Sequence, residues 1–139
     1  MKTTDELMKQ LNSSSDLLGY LAENDSEFTD ISLSEYLNSI MKKKDMKPTD
    51  VINGSNLMNI YVYKILSGER MPSRDKLIAL CFGLHTDLKE TQTALRLASH
   101  SLLYPRVRRD SIIIFALDKG AGLMECNEML YDLNEQIIE

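Results

Sequence analysis

Apolar residues recur along this chain at helical spacing. Leu33, Tyr36, Leu37, Ile40 and Met41 fall at i, i+3, i+4, i+7 and i+8, the pattern of a helix with one buried stripe. Ser32 stands just ahead of them with Glu35 three residues on, a pairing that ties up backbone donors left open at a helix start. The same reasoning predicts a first helix from Thr3 and Glu6 with Leu7, Met8 and Leu11 on one side, broken at Asn12 to Ser15. Asp16 opens a short helix holding Leu17, Leu18 and Leu21. Residues 23–30, ENDSEFTD, are polar and read as a linker. Beyond Met41, Pro48 suits a first helical position and Asp50 a first turn, so a helix passes through Val51 and Ile52, kept short by Asn53 to Asn56, which follow it. Asn56 can adopt a left-handed conformation and reverse the chain. Asn59 to Leu66 follow, with Leu57, Val62 and Ile65 inward and a stop at Ser67 and Gly68; their β-branched and aromatic residues would also tolerate a strand, and the surrounding context favours a helix.

The second half continues in the same way. Ser73 caps a helix from Arg74 to Gly83, and Asp87 with Glu90 caps one carrying Leu88, Ala94, Leu95 and Ala98. Residues 100–105 form a loop. The apolar run over Ser111 to Leu117 fits a buried strand as well as a helix; Asp110 as a cap ahead of it and Gly120 at its end favour a buried helix. Leu123, Cys126, Met129, Leu130, Leu133 and Ile137 make one last amphipathic helix. The fold class is all-α, with about seven helices and no clear strand.

Length and composition narrow the class. A chain of 139 residues with 43% apolar and 27% charged types can bury one ordinary core without staples. The longest apolar run, Ile112 to Leu117, is far short of the roughly 20 residues a membrane span needs. The amino-terminal MKTTDELMKQ has no apolar secretory core, and two cysteines make neither a disulfide framework nor a metal quartet. A cytoplasmic protein with no membrane association is expected.

Charge is uneven. The net charge is −5, yet residues 42–76 carry eight Lys or Arg against four acids, while both flanking segments are acidic. A local basic block can steer a polyanion even on an acidic protein. Its simpler alternative is a solvated lysine-rich face.

Residues 47–68 join two short helices through an Asn-containing turn, the layout of a helix-turn-helix. Over residues 33–99 the sequence resembles the phage-repressor and Cro-type (lambda-repressor-like) helix-turn-helix DNA-binding family. The resemblance rests on Val51, Ile52, Asn56, Leu57, Val62 and Ile65, then Ser67 to Ser73 with Gly68 and Pro72, then Asp75 to Leu80 and the helix from Leu88. It implies a five-helix domain over 31–100; a helical extension over 1–30 and a helical tail over 101–139, which packs on that domain or dimerises, lie outside the resemblance. It further implies a sequence-specific transcriptional regulator, repressor-like and homodimeric, bound to double-stranded DNA. Asn59, Ile60 and Tyr63 would then read bases in the major groove. Lys47, Thr49, Lys64 and Arg70 would hold phosphates, the first two helped by backbone amides at a helix start.

Two positions depart from the family pattern. Pro48 stands where a Gln is usual, and Ile52 replaces the usual Ala. The second helix also presents Ile60, Tyr61 and Tyr63, residue types that mark protein interfaces. The alternative function is therefore an adaptor that docks a protein partner on the same surface. A second basic cluster, Arg106 to Arg109 beside Asp110, either meets a DNA backbone or pairs internally at a helix start.

Catalytic chemistry has no signature. His85 and His100 are too far apart to pair as ligands, and Cys81 with His85 supplies only two. No Gly-rich phosphate loop occurs. No metal, no cofactor and no enzymatic activity are expected.

Overall fold

A computed structural model describes residues 2–13, 16–23 and 31–139, residues 22 and 23 by their backbone alone. Among the described residues every regular element is a helix, and there are nine rather than about seven. The chain divides into two compact units, Met1–Ile31 and Ser32–Glu139.

The first unit holds α1 (Thr4–Ser13) and α2 (Leu17–Glu23). The start of α1 follows the expected reciprocal scheme: Glu6 N–H donates to Thr3 Oγ1 at 3.1 Å and Thr3 N–H to Glu6 Oε2 at 3.3 Å. The helix continues through Asn12 and Ser13, past the predicted break. Most of the stretch read as a linker, residues 24–30, lies outside the described residues.

The second unit contains α3 (Leu33–Lys43), α4 (Pro48–Ser55), α5 (Asn59–Leu66), α6 (Arg74–Gly83), α7 (Leu88–Leu97), α8 (Arg108–Asp118) and α9 (Leu123–Asp132). Helix α6 is its axis. Every residue from Leu77 to Gly83 is buried, as a helix apolar on all sides requires. Helices α4, α7 and α9 pack on α6, while α3 rests on α5 and α7, and α8 on α7 and α9. One continuous core runs from Leu33 and Leu37 through Leu77, Leu80 and Leu95 to Ile113, Cys126, Leu130 and Ile138. The segment 101–139 is thus part of the same core as α3 to α7.

Local signals explain most boundaries. Ser32 Oγ accepts from Glu35 N–H, Ser73 Oγ from Lys76 N–H, and Asp87 Oδ1 from Glu90 N–H at 2.7 Å. Three boundaries differ from expectation. Helix α4 runs on to Ser55 before Asn56 turns left-handed at φ 56°. Helix α8 starts at Arg108, so Asp110 is inside its first turn, buried, rather than at its cap. Helix α9 ends at Asp132, and Asn134 at φ 62° turns the chain back, leaving Ile137 and Ile138 in a returning tail.

That tail is held by hydrogen bonds the periodicity did not foretell. Arg108 Nη1 donates to the Leu133 carbonyl at 2.7 Å and Arg109 Nε to that of Gln136 at 2.9 Å. Asn127 exchanges two bonds with the Ile138 backbone, at 3.1 and 2.8 Å. Asp110 receives Arg74 on both carboxylate oxygens, at 3.3 and 3.0 Å, and Tyr104 N–H at 3.0 Å. Arg109 grips Asp75 in the same two-pronged way, at 3.0 and 2.9 Å. The Arg106 to Arg109 cluster is therefore knitted inward at Arg108 and Arg109.

The close approach of α4 to α6 depends on two glycines. A Cβ on Gly83 would sit 2.5 Å from the Val51 carbonyl oxygen, and one on Gly54 would sit 3.0 Å from Gly83 Cα. Ile52 is accommodated as a half-buried residue beside this contact.

Candidate nucleic-acid interface

Helix α4 begins at Pro48, whose missing N–H costs nothing at a helix start. Lys47 N–H donates to Asp50 Oδ2 at 2.9 Å. The positive end of this helix thus faces a carboxylate of the chain itself, which any phosphate approaching Lys47 and Thr49 would meet. Both side chains are exposed. By the length of α4 they lie roughly 12 Å along its axis from the turn at Asn56.

The turn is built from polar backbone satisfaction. Buried Ser55 accepts from Leu57 N–H at 3.4 Å and donates to the Ile52 carbonyl at 3.3 Å, while Leu57 tucks half-buried against the core. Helix α5 follows. Val62, Ile65 and Leu66 are buried, and Asn38 Nδ2 ties the Leu66 carbonyl to α3 at 2.8 Å. Gly68, at φ 83°, completes the exit in a conformation that suits glycine, with Ser34 Oγ 3.1 Å from where a Cβ would be.

The opposite side of α5 is bare. Asn59, Ile60, Tyr63 and Lys64 are all exposed, Ile60 at 62% and Tyr63 at 49%. These positions share one face, since i and i+4 neighbour each other on a helix. Asn59 Oδ1 accepts from Ile60 N–H at 2.8 Å, so its amide lies along the first turn. The structure brings Asn59, Ile60, Tyr63 and Lys64 together on one surface and sets Lys47 and Thr49 apart at the other end of α4.

Arg70 reaches this region by an unexpected route. Its guanidinium lies 5.2 Å from the centre of the Tyr61 ring, and Lys76 Nζ lies 5.6 Å from the same ring. Tyr61, half-buried, therefore gathers two cations beside α5. Lys76 was not singled out from the sequence as a contact residue, and no local spacing links it to Tyr61. Lys47, Lys64, Arg70 and Lys76 form no ion pair among the described residues; the first three are exposed and Lys76 is half-buried.

The cysteines sit elsewhere. Burial pushes the Cys81 thiol up to about 12, against the opposing pull of hydrogen bonds from Thr86 and Thr91, and burial pushes Cys126 up to about 11. Both are neutral thiols at physiological pH. His85, at φ 54°, lies past the end of α6, and no group of three metal-binding side chains forms among the described residues. No helix among the described residues is long and apolar enough to cross a membrane.

No protein-family model, curated protein or solved structure matches this chain.

Proposed function

We propose that this chain is a sequence-specific DNA-binding regulator of transcription. In this reading α3 to α7 form a five-helix domain of the phage-repressor type, and α5 enters the major groove. The observation that carries it is α5 itself: one side is anchored in the core, and the other presents Asn59, Ile60, Tyr63 and Lys64 to solvent beside Arg70 and Lys76, cations with no ion pair among the described residues. Asn59 would read an adenine through its amide, and Ile60 would pack on a thymine methyl. Lys64, Arg70 and Lys76 would neutralise phosphates. Lys47 and Thr49 contribute less, because Asp50 already occupies the start of α4.

Random-site selection with the purified full chain tests the proposal. A recovered consensus, bound more weakly as salt rises, is the expected result. No enrichment over input DNA would sink it.

A second reading has its own support. Met58, Ile60 and Tyr63 are large apolar side chains left in solvent around α5, which suits an adaptor docking another protein there. Failure of the selection, with Ile60→Ser abolishing capture of a protein partner, is the pattern that reading expects.

For palindromic DNA the chain would act as a homodimer. The face shared by α8 and α9 supports this, with Ile112, Phe115, Met129 and Leu133 lining an apolar groove of about 460 Å³ and Phe115 52% exposed. Sedimentation of wild type against Phe115→Glu checks it: an unchanged mass for the two proteins would end the dimer assignment. A cytoplasmic location belongs to the same proposal.

A further inference from the structure

Helix α9 carries a second unpartnered surface, on the side away from Phe115. Leu123, Met124, Tyr131 and Ile137 line a groove of about 610 Å³ whose other wall is Asn53 and Asn56, at the end of α4. Met124 and Tyr131 are 77% and 76% exposed. Glu128 lies between them on the same helical face, one turn from each, and Asp132 follows Tyr131 at its end. Neither carboxylate forms an ion pair among the described residues. Helix α9 has no basic residue, and the nearby arginines 108 and 109 are held by Glu135, Asp75 and tail carbonyls. The groove therefore combines apolar anchoring positions with two carboxylates that have no ion-pair partner among the described residues.

That combination selects its occupant. A second copy presenting the same face would set Glu128 and Asp132 against themselves, a like-charge contact that disfavours the pairing. An acidic surface is excluded by the same argument. We infer that the α4–α9 groove docks a short amphipathic segment of another protein, with Lys or Arg beside apolar side chains. The apolar residues enter between Met124, Tyr131 and Ile137, and the cations meet Glu128 and Asp132. Met and Tyr are the residue types that protein interfaces favour. An occupant would also press on Asn53 and Asn56, the residues that lead into α5. The inference does not depend on α5 meeting DNA, and its test contains none.

The probe is a fluorescein-labelled, helix-forming peptide of leucine and lysine, with a leucine–glutamate peptide as its counterpart, each titrated into the full chain and followed by anisotropy. The cationic peptide is expected to bind and the acidic one not. Met124→Glu and Glu128→Lys should each weaken binding about tenfold or more. Glu125→Lys changes net charge by the same amount at an exposed α9 residue outside the groove, and it should leave affinity close to wild type. All three positions are exposed, so circular dichroism should show each variant folded. Equal weakening by Glu125→Lys and Glu128→Lys would reduce the effect to bulk charge and overturn the inference. So would binding of both peptides alike, or full affinity in Met124→Glu.

Discussion

Arg109 and Lys64 both come from basic stretches of the sequence, and the fold treats them in opposite ways. Arg109 closes on both oxygens of Asp75 and on the carbonyls of Gln136 and Ile137. Its neighbour Arg108 holds Leu133 and Glu135, and Arg74 holds Asp110 together with two carbonyls of the 101–102 loop. Around α5 the cations Arg70 and Lys76 lie against the face of Tyr61, and neither they nor Lys64 form an ion pair among the described residues. A guanidinium bonded to a carboxylate contributes little field beyond the pair, whereas an unpaired one steers anions. What separates a structural cluster from a candidate interface is thus the presence of a partner, not the density of bases along the chain.

The largest effects should come from breaking the inward cluster. Asp110 is buried and takes three hydrogen bonds, so Asp110→Ala would leave Arg74 without its carboxylate, held by two loop carbonyls alone, and would strand the Tyr104 N–H. A loss of about 3 kcal/mol or more in urea unfolding is expected. A loss under about 1 kcal/mol, typical of an exposed pair, would make this cluster no more than surface decoration. Next comes Gly83→Ala, whose methyl would meet the Val51 carbonyl. It should cost an amount in the upper part of the ~1–3 kcal/mol range for overpacking. Because the strain falls between α4 and α6, DNA affinity should fall as well, as α4 carries α5 with it.

The sequence already contained the helices that local chemistry defines. Ser32 with Glu35 and Asp87 with Glu90 place the starts of α3 and α7, and their apolar stripes face the core. Asp110 looked like a cap because it precedes an apolar run, but its partners Arg74 and Tyr104 are set by packing that no local pattern encodes. Leu133 and Ile137 continued the period of α9, yet the chain leaves the helix because Arg108 and Asn127 take the tail's backbone. Several helix ends pass through a left-handed residue other than glycine, at Asp45, His85 and Ser99, where the usual glycine signal was missing. Gly83 reads as a helix end, and only the α4 contact reveals why a side chain cannot stand there. At the candidate interface, Asn59, Ile60, Tyr63 and Lys64 were legible because i and i+4 share a face. The gathering of Arg70 and Lys76 on Tyr61 was not, since it requires the loop after α5 to return.

Asn59→Ala examines the outward region directly. If α5 reads bases, the change should cost roughly 1–3 kcal/mol on the selected site and relax preference at one base position. Thermal stability should hardly move, because Asn59 is exposed and its side chain bonds within its own turn. Equal loss on cognate and random DNA would transfer Asn59 to the phosphate-contacting set and leave Ile60 and Tyr63 to carry specificity.

The smallest effects are also the most diagnostic, because they should cross. Lys64→Gln removes an exposed, unpaired charge, so stability should stay within about 0.5 kcal/mol. If Lys64 meets a phosphate, the slope of log affinity against log salt should flatten by about 1. Arg108→Gln removes a cation whose side chain is 61% exposed but joined to Glu135 and the Leu133 carbonyl. Solvent screens that pair, so a stability loss below about 1 kcal/mol is expected, with the salt slope unchanged. The two variants remove the same formal charge from the same acidic protein, so any shared change in slope would come from net charge alone. A flattened slope for Arg108→Gln, with none for Lys64→Gln, would move the DNA contact from α5 to the start of α8 and invert the division between the two regions.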